Sequence, residues 1–280
     1  MMNFNPKKIL PVLLFLSLFC SCNNKDKTPY ADKEKIKKIP FLENSDIKYS
    51  EKIYRKTLGD CGNLKDCAEI RIEYPQITDT GIVFDSVNQF IRNKINTIIN
   101  FSDENSSASL QTLDTIADSL FAQYIQIQKD FPDYHTGWFI KGKITLTGIY
   151  KNILTLKSEE IVFTGGAHPN SNLFYFNFDL DNGKIIELND IVDNKISDKL
   201  NNIGRTVFCK IKNLNPTKPL NEAGYWFEEN KFYLNNNFAI TDSGMIFYYN
   251  KYEIAPYSMG ATELFIPKKH LSNIIKFYNN

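Results

Sequence analysis

An excess of charge of either sign is missing from this sequence. The 280-residue chain carries 33 basic and 32 acidic residues, a net charge of +1. Removing residues 1–21, with Lys7 and Lys8, turns that into −1. Neither balance provides a surface for a polyanion, so nucleic acid is excluded as a partner. Histidine is scarce, and His135, His168 and His270 stand at unrelated positions with no paired metal-ligand spacing. Gly165-Gly166 lacks the Gly-Lys-Ser/Thr ending of a phosphate loop. No catalytic constellation emerges, and no cofactor or metal is implied.

Long hydrophobic runs are also wanting. The apolar stretch Ile9–Phe19 falls short of the roughly 20 residues that a permanent spanning helix needs. Behind Lys7 and Lys8 it fits the h-region of a secretory signal, over residues 1–21. It ends in Leu18-Phe19-Cys20-Ser21-Cys22, which resembles a bacterial lipobox. Ser21 makes Cys22 the better lipidation site, because Cys20 follows the bulky Phe19. Ordinary signal cleavage or an uncleaved anchor are the other readings. Residues 22–46 are polar and lysine-rich, a tether between lipid and folded domain. No acidic run follows Cys22, which favours a periplasm-facing, lipid-anchored protein of the cell envelope.

What is present is apolar and aromatic: 42% hydrophobic residues, with 21 Phe and 15 Tyr, enough for a sizeable core that leans towards sheet. Cys61 and Cys67 lie between expected strands at Ile47–Thr57 and Ala68–Tyr74. In an oxidising compartment a disulfide is the first reading, and a metal site would need further ligands nearby. Apolar stripes at helical spacing predict helices over residues 82–100, about 109–129 and about 196–214. The DENSS stretch between the first two offers N-cap residues. In the third, Leu200, Ile203, Val207, Ile211 and Leu214 form the stripe and Cys209 points to the opposite side. Period-two alternation predicts strands at Trp138–Tyr150 and from Ile153, with a bulge near Ser158-Glu159-Glu160 where the alternation slips.

The stretch Ile161–Leu188 reads as strand, glycine turn, strand, hairpin, strand. Phe174, Phe176, Phe178 and Leu180 line one face and alternate with Tyr175, Asn177 and Asp179. Asp181-Asn182-Gly183 predicts a type I′ turn with positive φ at both central residues. Further strands are expected at Phe232–Ile240, Met245–Asn250 and Thr262–Ile266, and a closing helix at Lys268–Phe277.

With these residues in view the chain resembles the PdaC/RsiV-like superfamily of bacterial extracytoplasmic proteins. The matching segments are IEYPQI (Ile72–Ile77), FTGGAHPN (Phe163–Asn170), NFDLDNGKIIEL (Asn177–Leu188) and Phe232–Gly260 with its YEIAPY run. The resemblance implies an α+β fold with mixed or antiparallel sheets and packed helices, an N-terminal PdaC-like part over 47–150 and a C-terminal RsiV-like part over 151–280. It implies recognition of a lysozyme-like muramidase or of peptidoglycan. The departures are informative: no cytoplasmic sigma-binding segment and no polysaccharide deacetylase domain accompany the module. The leading expectation is therefore binding without catalysis. An envelope hydrolase acting on wall glycan or its acyl groups, or a structural lipoprotein without a small ligand, are the alternatives. Candidate binding residues are Gly165, Gly166, His168 and Asn170 in one loop, and Tyr252, Tyr257 and Met259 in another. For His168, packing against the hairpin competes with a ligand role. For Tyr225, Trp226, Phe227, Tyr248, Tyr249, Tyr252 and Tyr257, core packing competes with surface anchoring.

Overall fold

A computed structural model describes residues 47–62, 64–100, 112–193 and 196–278, all within one compact unit. Cys22, the leader, the tether and the DENSS stretch lie outside the described residues.

The fold is α+β, with two sheets and helices packed on them. Strands β1 (Tyr49–Gly59), β2 (Cys67–Ile77), β3 (Trp138–Tyr150), β4 (Ile153–Phe163) and β5 (Asn170–Asp179) form one sheet in that spatial order. β2 and β3 run parallel, and the other neighbours are antiparallel. Helices α1 (Ile82–Asn100) and α2 (Leu113–Asp130) fill the connection between the two parallel strands, as such a crossover requires. This sheet runs straight through residue 150, since β3 and β4 form one hairpin. The short α3 (Leu188–Ile191) and α4 (Ser197–Ile211) follow. A second, antiparallel sheet holds β6 (Phe238–Ile240), β7 (Gly244–Tyr249) and β8 (Thr262–Pro267). Among the described residues no helix is long and apolar enough to cross a membrane.

The first core lies between sheet and helices. Val87, Ile91, Ile95 and Ile98 of α1 and Ile116, Leu120 and Tyr124 of α2 cover Ile70, Ile72, Trp138, Ile140 and Leu156. Thr112 caps α2 by accepting from the Thr115 amide. Two polar side chains of α1, Asn88 and Lys94, are buried in this layer. Asn88 accepts from the Ile77 amide and donates to its carbonyl, both at 2.9 Å. Lys94 pairs with Glu160 at 2.9 Å, both buried, and its ammonium lies 4.3 Å from the Phe174 ring centroid. Ser158 donates to the same Glu160 carboxylate. The slip in alternation at Ser158-Glu159-Glu160 is therefore not a bulge. β4 keeps its register there, and Ser158 and Glu160 take inward positions because Lys94 awaits them. The register shift falls instead between Leu146 and Gly148 on β3.

The other face of β5 is not solvent. Tyr175 and Asn177 are buried under the second sheet. Asn177 donates to the Phe238 carbonyl at 2.7 Å and accepts from the Ile240 amide and the Thr155 hydroxyl. The strand expected over Phe232–Ile240 shrinks to β6, because side-chain amides take over its hydrogen bonds. Asn237 donates to the Leu173 carbonyl at 2.7 Å and accepts from the Tyr175 amide at 2.8 Å. Asn250 accepts from the Leu173 amide at 2.8 Å. The hairpin after β5 carries positive φ only at Gly183, not at both central residues. Asp179 accounts for this: its carboxylate accepts from the Asp181 amide and the Asn182 side chain and shapes the turn itself. The strand after the hairpin reduces to a bridge between Phe178 and Ile185.

α4 is rotated from the predicted stripe, whose Ile203, Val207 and Leu214 lie half-buried against the second core. Leu200, Gly204, Phe208 and Cys209 are buried, while Ile211 is exposed. Gly204 sets this face, since a Cβ there would stand 2.8 Å from Phe232 and 2.9 Å from Leu234. Cys209 is a free thiol within the second core, beside the Phe208, Phe227, Phe238, Phe247 and Tyr249 cluster. The expected closing helix is two short 3-10 turns, Lys268–His270 and Lys276–Tyr278. The chain folds back so that the Tyr278 hydroxyl reaches the Thr241 and Gly244 carbonyls, 2.7 Å from each. Cys61 and Cys67 form a disulfide that closes the turn between β1 and β2.

Candidate functional site

The two loops singled out in the sequence meet on one surface. The first leaves β4 through Gly165 and Gly166, with φ of 99° and 98°. Both values lie in the left-handed half of backbone space, where a Cβ is strained. A Cβ on Gly165 would also overlap the Tyr134 hydroxyl, which accepts from the Trp138 indole at 3.1 Å. His168 is exposed at the tip. Its Nδ1 lies 3.2 Å from the Pro169 carbonyl, which can only accept, so that nitrogen is the donor. Asn170, also exposed, opens β5 opposite Val162.

The second loop connects β7 to β8. Glu253 organises it: one carboxylate oxygen accepts from the Asn250 amide at 2.8 Å, the other from the Asn235 side chain. This tight turn forces Tyr252 to φ 67°, at a cost of about 1 kcal/mol for a residue with a Cβ. Such strain places an aromatic ring outside, 56% exposed. Tyr257 lies 5.5 Å from Tyr252 and stacks on His168, with ring centroids 3.8 Å apart and planes 20° from parallel. Lys251 ties the two loops together. Its ammonium lies 3.2 Å from the Ser171 hydroxyl, 3.4 Å from the Tyr257 hydroxyl and 4.6 Å from the Tyr257 ring centroid. Met259, exposed, flanks Gly224. Two residues on, Trp226 is 49% exposed and donates its indole N–H to the Glu253 carbonyl.

The aromatic set thus divides. Tyr225, Phe227 and Tyr249 belong to the core around Phe208. Trp226 and Tyr252 stand out, with Tyr257 half-buried behind its stack. Lys251 and Ser171 join the site without a sequence signal, because a single lysine and a single serine are common anywhere. The face offers flat rings, a ring nitrogen, an ammonium and amide groups, a chemistry suited to stacking and hydrogen bonding. Both oxygens of the Glu253 carboxylate are engaged away from His168, by the Asn250 amide and the Asn235 side chain. Among the described residues, no group of three or more His, Cys, Asp or Glu could hold a metal.

A concavity of about 740 Å³ lies elsewhere, between α4 and residues 228–233, lined by Asp198, Asn202, Glu228 and Tyr233 among others. Arg205 on its wall is committed to the Pro216 and Lys218 carbonyls. No motif in the sequence marked it.

Comparison with known proteins divides the chain in two. Residues 62–171 match the family described as Deacetylase PdaC. Residues 178–269 match DUF3298, a family described as of unknown function. No curated protein matches. Among solved structures, a DUF3298-family member from Bacteroides fragilis NCTC 9343 is 19% identical with a TM-score of 0.64, covering 82% of this chain and 93% of its own. A DUF3298-family protein from Pseudomonas aeruginosa PAO1 is 17% identical with a TM-score of 0.57, covering 82% and 94%. At such identities the likeness establishes the fold alone. His168 comes from the first matched region and Tyr257 from the second, so their stack crosses the border between them.

Proposed function

We propose, for a chain that belongs to the PdaC-like superfamily, that it is a lipid-anchored recognition protein of the cell envelope. Its PdaC and DUF3298 matches support an extracytoplasmic accessory module. The finer reading has three parts: a lipid on Cys22, a binding face around the His168–Tyr257 stack, and a ligand that is either a lysozyme-like muramidase or peptidoglycan.

The observation that carries it is the convergence of two distant loops into one outward aromatic face, with Tyr252 held out at an unfavourable φ. Exposed Trp and Tyr give large contact area at low entropic cost, both against proteins and against sugar rings. Chemistry is disfavoured by the surroundings of His168, whose neighbours are a ring, a carbonyl and an ammonium-bearing loop.

Calorimetric titration of the purified chain with an animal-type lysozyme, and separately with peptidoglycan fragments, tests the reading. Saturable one-to-one binding to either supports it. The Tyr257→Ala chain should bind at least about tenfold more weakly with a nearly unchanged melting temperature. Absence of heat with both ligands refutes the recognition role. Loss of fold in the variant would move Tyr257 to the core.

A further inference from the structure

We propose that β1 is a homodimerisation edge, through which two copies of this chain join their sheets about a two-fold axis at Ile53. β1 and β5 are the two edges of the five-stranded sheet. β5 is closed. Leu173 and Tyr175 are bonded to Asn250 and Asn237, and the Asn177 carbonyl accepts from the Ile186 amide at 2.7 Å. Among the described residues no strand pairs with the outer side of β1, although it is eleven residues long. A long open edge is a template for another strand unless charge blunts it. Here the blunting is incomplete. Lys56 is drawn inward to Asp118 at 2.8 Å and Asp114 at 3.5 Å. The outward face carries Ile53, 55% exposed, and Tyr49, 44% exposed.

The sequence of β1 identifies its own occupant. A two-fold axis perpendicular to the sheet pairs residues of the two copies at a constant sum of their numbers, with like faces together. Centred on Ile53, it sets Ile53 against Ile53, Glu51 against Arg55 of the second copy, and Tyr49 against Thr57. Centred on Glu51, Lys52 or Arg55, it opposes that residue to its own copy, like charge to like. Centred on Tyr54, it sets Lys52 against Lys56. Only the Ile53 register matches opposite charges, and it does so twice by symmetry. Arg55 already bonds Glu69 at 3.1 Å, and its guanidinium has donors for a second carboxylate.

Sedimentation equilibrium of the full chain in mild detergent, up to about 100 µM, tests this. The wild-type chain should be dimeric. Glu51→Arg and Arg55→Glu should each weaken association at least about tenfold, and the double variant should restore it. Thermal melts verify that each variant is folded. Independently, Ile53→Cys should give disulfide-linked dimers on oxidation above the wild-type level, and Thr57→Cys should not. A monomer at the highest concentration, or a dimer indifferent to both single swaps, overturns the proposal. Single swaps that break the dimer without rescue in the double variant overturn the register.

Discussion

The two edges of the five-stranded sheet are made from similar backbone and treated in opposite ways. β5 has its outer amides and carbonyls met by asparagine side chains and a bridge, and then disappears beneath the second sheet. β1 keeps one side facing outward and is tied to the fold through β2, the disulfide, the Lys56 pairs, the Tyr54–Asp114 bond and the packing of Tyr54 and Leu58 on the first core. Buried polar backbone must find partners, and side-chain amides can supply them where a strand would not fit. An edge left in water has no such need. Asparagine at one edge is therefore structural, whereas the charged residues at the other are available for recognition.

That contrast can be broken by substitution. The largest effect is expected at the sealed edge. Asn177→Ala strands the Phe238 carbonyl and the Ile240 amide and leaves the Thr155 hydroxyl with the Ile240 carbonyl at 3.4 Å, and should cost about 3 kcal/mol in denaturant unfolding. Asn237→Ala, which unpairs the Tyr175 amide and leaves the Leu173 carbonyl with the Asn250 side chain at 3.1 Å, should cost about 1.5 kcal/mol. If Asn237→Ala is neutral, water can replace the seal and the two edges are equivalent.

Reducing the Cys61–Cys67 disulfide tests the other edge. The bond closes a short loop, so its loss should cost about 2 kcal/mol and loosen the β1–β2 hairpin first. Mass measurement before and after reduction verifies the bond, and amide exchange along β1 reports the loosening. The smallest effect belongs to the outward face of β1. Ile53→Ala should change the unfolding free energy of the monomer by less than about 0.5 kcal/mol, because the side chain is mostly in water. A larger loss would mean that Ile53 packs within its own chain, and the open edge would then be closed after all.

The same contrast explains which parts of the fold were legible in the sequence. α1 runs over residues 82–100 as its stripe predicts, and β3 spans Trp138–Tyr150 as its alternation predicts. Both bury one regular apolar face against one partner. Legibility fails where polar residues do the work of apolar ones. Asn177 looked outward in a binary pattern yet lies between two sheets. Ser158 and Glu160 looked like a slip and proved to be a buried pair in which Ser158 donates to Glu160 and Glu160 meets Lys94. Gly204 counted for nothing in the α4 stripe, although its lack of a side chain decides which face packs. The candidate face was only half visible. Sequence pointed to both loops from their glycines and aromatics, but the stack that joins His168 to Tyr257 is a product of tertiary structure.

One boundary carries a consequence for how such proteins can be rearranged. The PdaC match ends at residue 171 and the DUF3298 match begins at 178, so the seam falls within β5. A cut there would sever a strand held by β4 along one side and by Asn237 and Asn250 along the other. It would also part His168 from Tyr257. The two regions are separate as families but one as cargo: neither can be grafted into another protein as a cassette and take the aromatic face with it.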